Sequence, residues 1–383
     1  MLRFLTAGES HGPGLVAIVE GLPSGLEVSL DRLGTELARR RMGAGRGRRM
    51  ALEQDELEVL GGIRFGRTLG GPVAVVVRNT EWPKWQSEMS VDPGATDRPL
   101  TTPRPGHADL AGMQKYNTHD ARDVLERSSA RETAARTVAG TLAKIYLEAV
   151  GVTVLSHVVA IGPISAAEAE VPGPDDLDRI DASPVRTLDK AAEPEMLAAI
   201  GRAHDERDTV GGVIEVVVHG LPPGVGSHVH WDRKLDGLLA GAVMSIPSVK
   251  GVEIGKAWVV AASAGSSAHD EIGYEGAEFT RATNRAGGLE GGMSNGEPII
   301  VRAAMKPIST LMRPLQSVDV ETKETAEAFR ERSDVCSVPA GGVVAEQMVA
   351  FVIANEAARM FGGDTVAEIA QRVTEYRARL EQF

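Results

Sequence analysis

An α+β chain, or a layered α/β sandwich, is what the sequence predicts, and three observations predict it. Aliphatic strand runs alternate with helical stretches and are joined by hairpin-like turns. Three strand or helix units of the first half are echoed in the same order in the second. Aromatic residues make up only 4% of the 383 residues while glycine numbers 43, which favours a tightly turned core of Val, Ala and Leu. We read one domain, residues 1–383, with related halves of roughly 1–160 and 209–362 and an internal pseudo-two-fold.

The elements follow in order. "GLVAIVEGLPSGLEV" (14–28) is a strand with a Pro–Ser–Gly turn after it. Residues 31–42 form a helix opened by Asp31, a good N-cap residue. "GGPVAVVVRN" (70–79) is a buried strand. "SSARETAARTVAGTLAKIYLEAV" (128–150) is the longest helix signal, small and apolar on most faces and therefore deeply buried. "VTVLSHVVAIG" (152–162) is a strand. Residues 164–208 are polar and rich in Pro and Asp, ending in a helical stretch at 193–205. Then the echoes begin. "VIEVVVHGLPPGV" (213–225) resembles "LVAIVEGLPSGL" (15–26), each followed by a helix start, at Asp232 and Asp31. "GEPIIVRAA" (296–304) matches "GGPVAVVVR" (70–78). "RSDVCSVPAGGVVAEQ" (332–347) echoes "RSSARETAARTVAG" (127–140), each leading into a helix.

Bulk properties exclude several classes. The single cysteine, Cys336, rules out an internal disulfide and zinc clusters of several thiolates. We find no signal peptide, and no stretch approaching the roughly 20 apolar residues of a membrane helix, so a cytoplasmic location without a membrane partner is expected. A formal charge of −12 argues against a general nucleic-acid binder. Against that acidic background "RRRMGAGRGRRM" (39–50) is conspicuous: six of its twelve residues are arginine. Local anion binding is the reading, and no phosphate-loop pattern is present, because no Lys-Ser/Thr follows the glycines.

Several short segments carry candidate chemistry. His11 in "AGESHG" either lines a pocket or sits in a surface turn. In "PRPGHADL" (103–110) a Pro–Gly turn aims Arg104 and His107. Guanidinium plus imidazole suits a phosphate leaving group, one binding oxygens and the other protonating the departing atom; a capped turn is the plainer alternative. In "ERSSARETAAR" (126–136) Ser128 or Ser129 suits an N-cap, with Glu132 completing a capping box. Arg131 in that first turn opposes the helix dipole, which fits a bound anion or an ordinary exposed arginine. Asp334 is either a general base or a cap. "HVH" (228–230) faces two imidazoles to one side of a strand, but no third ligand is evident and no metal is expected.

Seven segments together resemble the chorismate synthase family: "GESHG" (8–12), "RRRMGAGRGRRM" (39–50), "RPGHADLAGMQKY" (104–116), "RSSARET" (127–133), "GGMSNGEP" (291–298), "MKPIST" (305–310) and "RSD" (332–334). The resemblance runs from residue 3 to about residue 365 and is closest to the bacterial, monofunctional type. It implies a lyase that converts 5-enolpyruvylshikimate 3-phosphate to chorismate and phosphate, the last step of the shikimate pathway toward the aromatic amino acids. The reaction is a 1,4-anti elimination requiring reduced FMN without net redox change. It also implies a β-α-β sandwich, a helical layer enclosed by two antiparallel sheets, assembled as a homotetramer. By the same resemblance His11 protonates or stabilises the reduced flavin, His107 protonates the leaving phosphate, and Asp334 works with the flavin in proton removal. Arg40, Arg46, Arg104, Arg131 and Arg332 clamp the substrate. Ser128, Ser129, Ala130, Pro247, Ser248, Gly292, Lys306, Pro307, Ile308, Ser309, Thr310 and Arg332 match flavin-contacting segments. One departure is "PSVKG" (247–251), where the family often has Asn-Ala-Phe-Lys-Gly; Pro247 offers neither an amide side chain nor a backbone N–H. Some members also reduce flavin with NADPH. This chain shows no added domain or nucleotide fingerprint for that, so an external source of reduced flavin is expected. Two other classes remain at this point: an RNA-binding module using "GRGRR" as a basic arm, and a flavin-dependent oxidoreductase acting on an anionic substrate.

Overall fold

The structure is a computed structural model and describes residues 1–47, 55–167, 171–276, 278–331 and 333–383. Its main elements are β1 (Arg3–Ala7), β2 (Gly14–Glu20), α1 (Leu30–Arg41), β3 (Leu57–Gly61), β4 (Val73–Arg78), α2 (Asp109–Tyr116), α3 (Arg122–Ser128), α4 (Thr133–Glu148), β5 (Thr153–Ile161), β6 (Ile164–Ser165), α5 (Ala192–Asp205), β7 (Gly212–His219), α6 (Leu235–Met244), β8 (Val249–Ile254), β9 (Ile299–Met305), α7 (Val338–Phe361) and α8 (Val366–Glu381). Helices and antiparallel sheets are mixed along the chain, an α+β arrangement.

The first sheet has the order β1-β2-β4-β3, the second β8-β9-β7-β5-β6. All neighbours are antiparallel. Without the short β6, the order in each sheet is first strand, second, fourth, third. Strand alternation explains the register. On β2 the inward residues Leu15, Ala17 and Val19 sit opposite Val77, Val75 and Val73 of β4. On β7 the inward Ile214, Val216 and Val218 meet Ala303, Val301 and Ile299 of β9. A one-residue slip would turn each set away from the core.

Helices α4 and α7 pack against each other. Helix α4 also lies on β2, and α7 on β5 and β7. Gly140 permits that crossing, since a Cβ there would stand 2.3 Å from the Cβ of Gln347. Between α1, α4 and α7 runs a buried ionic cluster. Glu346, fully buried, accepts from Arg39 Nη1 at 2.7 Å and from Ser156 Oγ at 2.8 Å. Glu36 accepts from Arg39 Nη1 at 2.6 Å, Lys144 Nζ at 2.9 Å and Gln347 Nε2 at 2.8 Å. Burial pushes the carboxyl of Glu346 upward, but Arg39 and Lys144 outweigh it and hold the group far below the usual range.

Several expectations need correction. The N-terminal strand β1 was not anticipated. Helix α1 starts at Leu30 with Ser29 as its N-cap, whose hydroxyl accepts from Arg32 N, so Asp31 lies inside the first turn. The 128–150 signal splits: α3 ends at Ser128, a 3-10 turn spans Ala130–Glu132, and α4 begins at Thr133. Ser129 accepts from Arg131 N, while the Glu132 carboxylate binds Thr6 Oγ1 and Arg136 Nε; no capping box closes there. Strand β5, placed at the end of the first half, pairs with β7 in the second sheet. The longest helix is α7. At 24 residues it is long and apolar enough to cross a membrane, contrary to expectation, yet 89% of its apolar window is buried in the fold.

Candidate active site

Residues 104–109 build one wall of a cavity. The turn at Pro105 and Gly106 brings Arg104, His107 and Asp109 together at the start of α2. Asp109, with no exposed surface, accepts from Arg104 Nε at 2.8 Å and from Arg104 backbone N at 3.1 Å through Oδ2. Its Oδ1 accepts from Arg104 Nη2 at 3.1 Å and from His107 Nδ1 in a short hydrogen bond. Burial would raise this carboxyl, but the hydrogen bonds from His107 and Arg104 bring it down to about 2. Arg104 Nη1 donates to Thr310 Oγ1 at 2.7 Å, and the guanidinium lies 4.6 Å from the ring centroid of Phe329.

His11 is held from a greater distance in sequence. Glu126 of α3 accepts from His11 backbone N at 2.8 Å and pairs with His11 Nδ1, also at 2.8 Å. Arg122 Nη1 donates to the same carboxylate at 2.9 Å. The imidazole stacks on Trp85, centroids 3.9 Å apart, and the Arg122 guanidinium lies 5.1 Å from the Trp85 ring. Burial opposes ionisation of Glu126, but its bonds to His11 prevail and lower its pKa.

The arginine-rich segment divides its charges. Arg39 points into the buried cluster, whereas its neighbour Arg40 lines the cavity and reaches Thr133 Oγ1 at 3.4 Å. Beyond α1 the chain docks on the segment preceding α7. Gly45 takes φ +82°, its carbonyl accepts from Val335 N at 2.7 Å, and a Cβ there would come within 2.8 Å of the Cys336 Cβ. This docking sets Arg46 Nη1 on Asp334 Oδ2, and Gly47 N donates to Asp334 Oδ1 at 2.7 Å. Arg131 pairs with Asp55 at 2.7 Å. Arg48 and Arg49 lie outside the described residues, as does Arg332.

These side chains converge on a cavity of about 640 Å³. Of the predicted residues, His11, Arg40, Arg46, Arg104, His107, Ser128, Ser129, Ala130, Arg131, Pro247, Ser248, Lys306, Ile308, Ser309, Thr310 and Asp334 line it. Two do not. Gly292 sits in a turn whose carbonyl accepts from Ser227 N and Leu235 N, and Pro307 lies between two lining residues. His228 falls in a bend and His230 directly before a 3-10 turn, neither on a strand. Among the described residues four arginines and Lys306 face two lining carboxylates, Glu331 and Asp334, so this part of the wall is net positive before either histidine is counted. Burial, then the nearby Lys250, lowers the Lys306 pKa. Ile246, Pro247, Met305, Ile308, Met312 and Val344 add an apolar surface. Sequence reasoning missed Glu126, Asp109, Trp85 and Asp55. Only Asp109 carried a signal, two positions after His107 in the quoted turn.

A family model described as chorismate synthase matches residues 2–358. The chain belongs to the chorismate synthase family. Chorismate synthases of Acidothermus cellulolyticus and Salinispora tropica are each 57% identical over 385 residues, covering 98% of both chains. A solved structure described as a crystal structure of chorismate synthase aligns with TM-score 0.80 and 38% identity, covering 100% of this chain and 99% of that one. The chorismate synthases are carbon–oxygen lyases, and this chain is an enzyme of that class. The cavity suits anionic ligands on its own chemistry, with a cationic wall for phosphate and carboxylates beside apolar residues that could pack on a flat ring.

Proposed function

We propose that the chain catalyses the 1,4-anti elimination of phosphate from 5-enolpyruvylshikimate 3-phosphate to give chorismate, with reduced FMN bound in the same cavity. The observation that carries the reading is the convergence of two carboxylate-held histidines, four arginines and Lys306 on one cavity. Reduced flavin, when bound, would lend the electron density that lets phosphate leave from a ring whose lost hydrogen is not acidic, and would recover it as the ring proton is lost, so that no net redox change results. The residues do the rest. Arg40, Arg46, Arg104 and Arg131 neutralise two carboxylates and a phosphate. His107, its Nδ1 committed to Asp109, has Nε2 left to hand a proton to the departing oxygen. Asp334 takes up the ring proton once Arg46 turns to the substrate. His11 would hold a proton near the flavin, and Ser128 to Ala130, Ser248, Lys306 and Ile308 to Thr310 would contact the cofactor.

The finer architecture belongs to this reading. A helical layer between two antiparallel sheets within a single domain, with a pseudo-two-fold, is supported by the shared strand order and by α4 and α7 packing on opposite sheets. We place the enzyme in the cytoplasm, supplied with flavin reduced elsewhere, as a homotetramer. Exposed Leu5, Ile18 and Leu60 on the first sheet are consistent with self-association. The test is anaerobic turnover with and without dithionite-reduced FMN. Chorismate and phosphate are expected only with reduced flavin; stoichiometric NADPH consumption would instead make the chain a net oxidoreductase.

A further inference from the structure

We propose that Asp109 is a positioning residue for the elimination, fixing the proton-donating histidine and the adjacent arginine clamp with one carboxylate. The inference rests on the function proposed above.

Four hydrogen bonds converge on this side chain: Arg104 backbone N and Nε on Oδ2, Arg104 Nη2 and His107 Nδ1 on Oδ1. A carboxylate offers about four lone-pair sites, so all of them are occupied. The group is wholly buried and stays ionised, so it only accepts. His107 must therefore present Nδ1–H to it, and the proton that comes and goes sits on Nε2. The same carboxylate fixes the plane of Arg104 by a fork on Nε and Nη2. Thr310 at Nη1 and the Phe329 ring complete that fixation. Arg104 Nη2 lies 3.1 Å from His107 Nδ1, so the guanidinium stands beside the imidazole and Asp109 Oδ1 accepts from both. Without Asp109 no anion would offset the Arg104 charge beside the imidazole. Among the described residues Lys306 also lies near the turn, its Nζ 3.8 Å from the point where a Cβ on Gly106 would stand, and Glu331 and Asp334 line the same cavity.

An amide in place of the carboxylate keeps the volume but brings a donor where Arg104 and His107 both donate. Asp109→Asn in the full chain should lower kcat by about 10²–10⁴-fold, the scale seen when a carboxylate behind a catalytic histidine becomes an amide. The basic limb of the kcat–pH profile should move to lower pH, a shift that mere loosening of the fold does not produce. Nitrogen-15 NMR of histidine-labelled protein, with His107→Ala assigning the signal, should show the Nδ1–H form of neutral His107 in the wild type and its loss in Asp109→Asn. Asp109→Glu, which restores the anion, should recover part of the rate. An unchanged pH profile in Asp109→Asn, or a wild-type His107 with the proton on Nε2 when neutral, overturns the inference. The NMR arm needs no turnover. If the wild type fails to convert the substrate, the proposed function falls while the tautomer still decides the role of Asp109.

Discussion

The two histidines of the cavity are held by the same chemistry and by opposite means. His11 and Glu126 are 115 residues apart, both are nearly fully buried, and Trp85 and Arg122 close over them. His107 and Asp109 are two residues apart on one turn, and the imidazole keeps 18% of its surface exposed. The first pair exists only because the fold brings α3 to the loop after β1. The second is preformed by its own turn, and the fold only has to bury the carboxylate. A long-range pair ties function to stability; a local pair can be tuned almost separately.

Substitutions sharpen this contrast, and the largest effect should fall on the local pair. His107→Ala should lower kcat by about 10²–10⁴-fold while the substrate Kd stays within about threefold; an unchanged kcat removes His107 from the reaction. Glu126→Gln should act on the fold instead. It breaks a buried charge pair that Arg122 shares, costing about 3 kcal/mol in denaturant unfolding. Stability within about 0.5 kcal/mol of wild type would dissolve the distinction. Arg46→Ala tests a third pair, Arg46 with Asp334, carried by a loop rather than a helix or turn. Its substrate Kd should rise about 10–100-fold, as for a lost charge-assisted contact, and a wild-type Kd would give that loop another purpose.

Acid offers a milder probe. Asp109, Glu126, Glu36 and Glu346 all have folded pKa values below their ordinary ones. Folded protein therefore binds fewer protons than unfolded, and their stabilisation is complete above about pH 4.5 and lost as pH falls through the folded values. For Asp109 alone, moving from 3.8 to about 2 amounts to about 2 kcal/mol. Melting temperature should be flat from pH 7 to 5 and drop below pH 4; a drop beginning at pH 6 would point to histidines instead. The smallest effect should come from Gly45→Ala. A Cβ at φ +82° against Cys336 costs about 1–2 kcal/mol and should raise KM severalfold with kcat nearly kept. A wild-type KM would mean the loop does not need this docking.

What the sequence disclosed follows the same division. Strands β2, β4, β5, β7 and β9 were legible because aliphatic runs are local signals, and the echoed segments proved to be neighbouring strands in each sheet; β1, β3 and β8 were not. The turn holding Arg104 and His107 was legible because Pro105 and Gly106 announce it. Glu126 was not, since nothing local marks a carboxylate whose partner lies 115 positions away. Asp31 was read as the cap that Ser29 holds because both residue types cap well, and only the backbone geometry separates them. The length of α7 was underread because Pro339, Gly341 and Gly342 depress helix propensity. Proline is tolerated in a first turn, however, and burial between a sheet and α4 stabilises the rest.

Arg39 and Arg40 are consecutive on α1, yet one guanidinium closes an ionic knot among three helices and the other faces the ligands. Any substitution at Glu346 that lets α1 rotate by a few degrees swings both at once. One peptide bond thus joins the buried ionic cluster to the ligand-facing wall. Adapting the protein to a new temperature by rewiring its interior charges will also reset how firmly it grips its substrate.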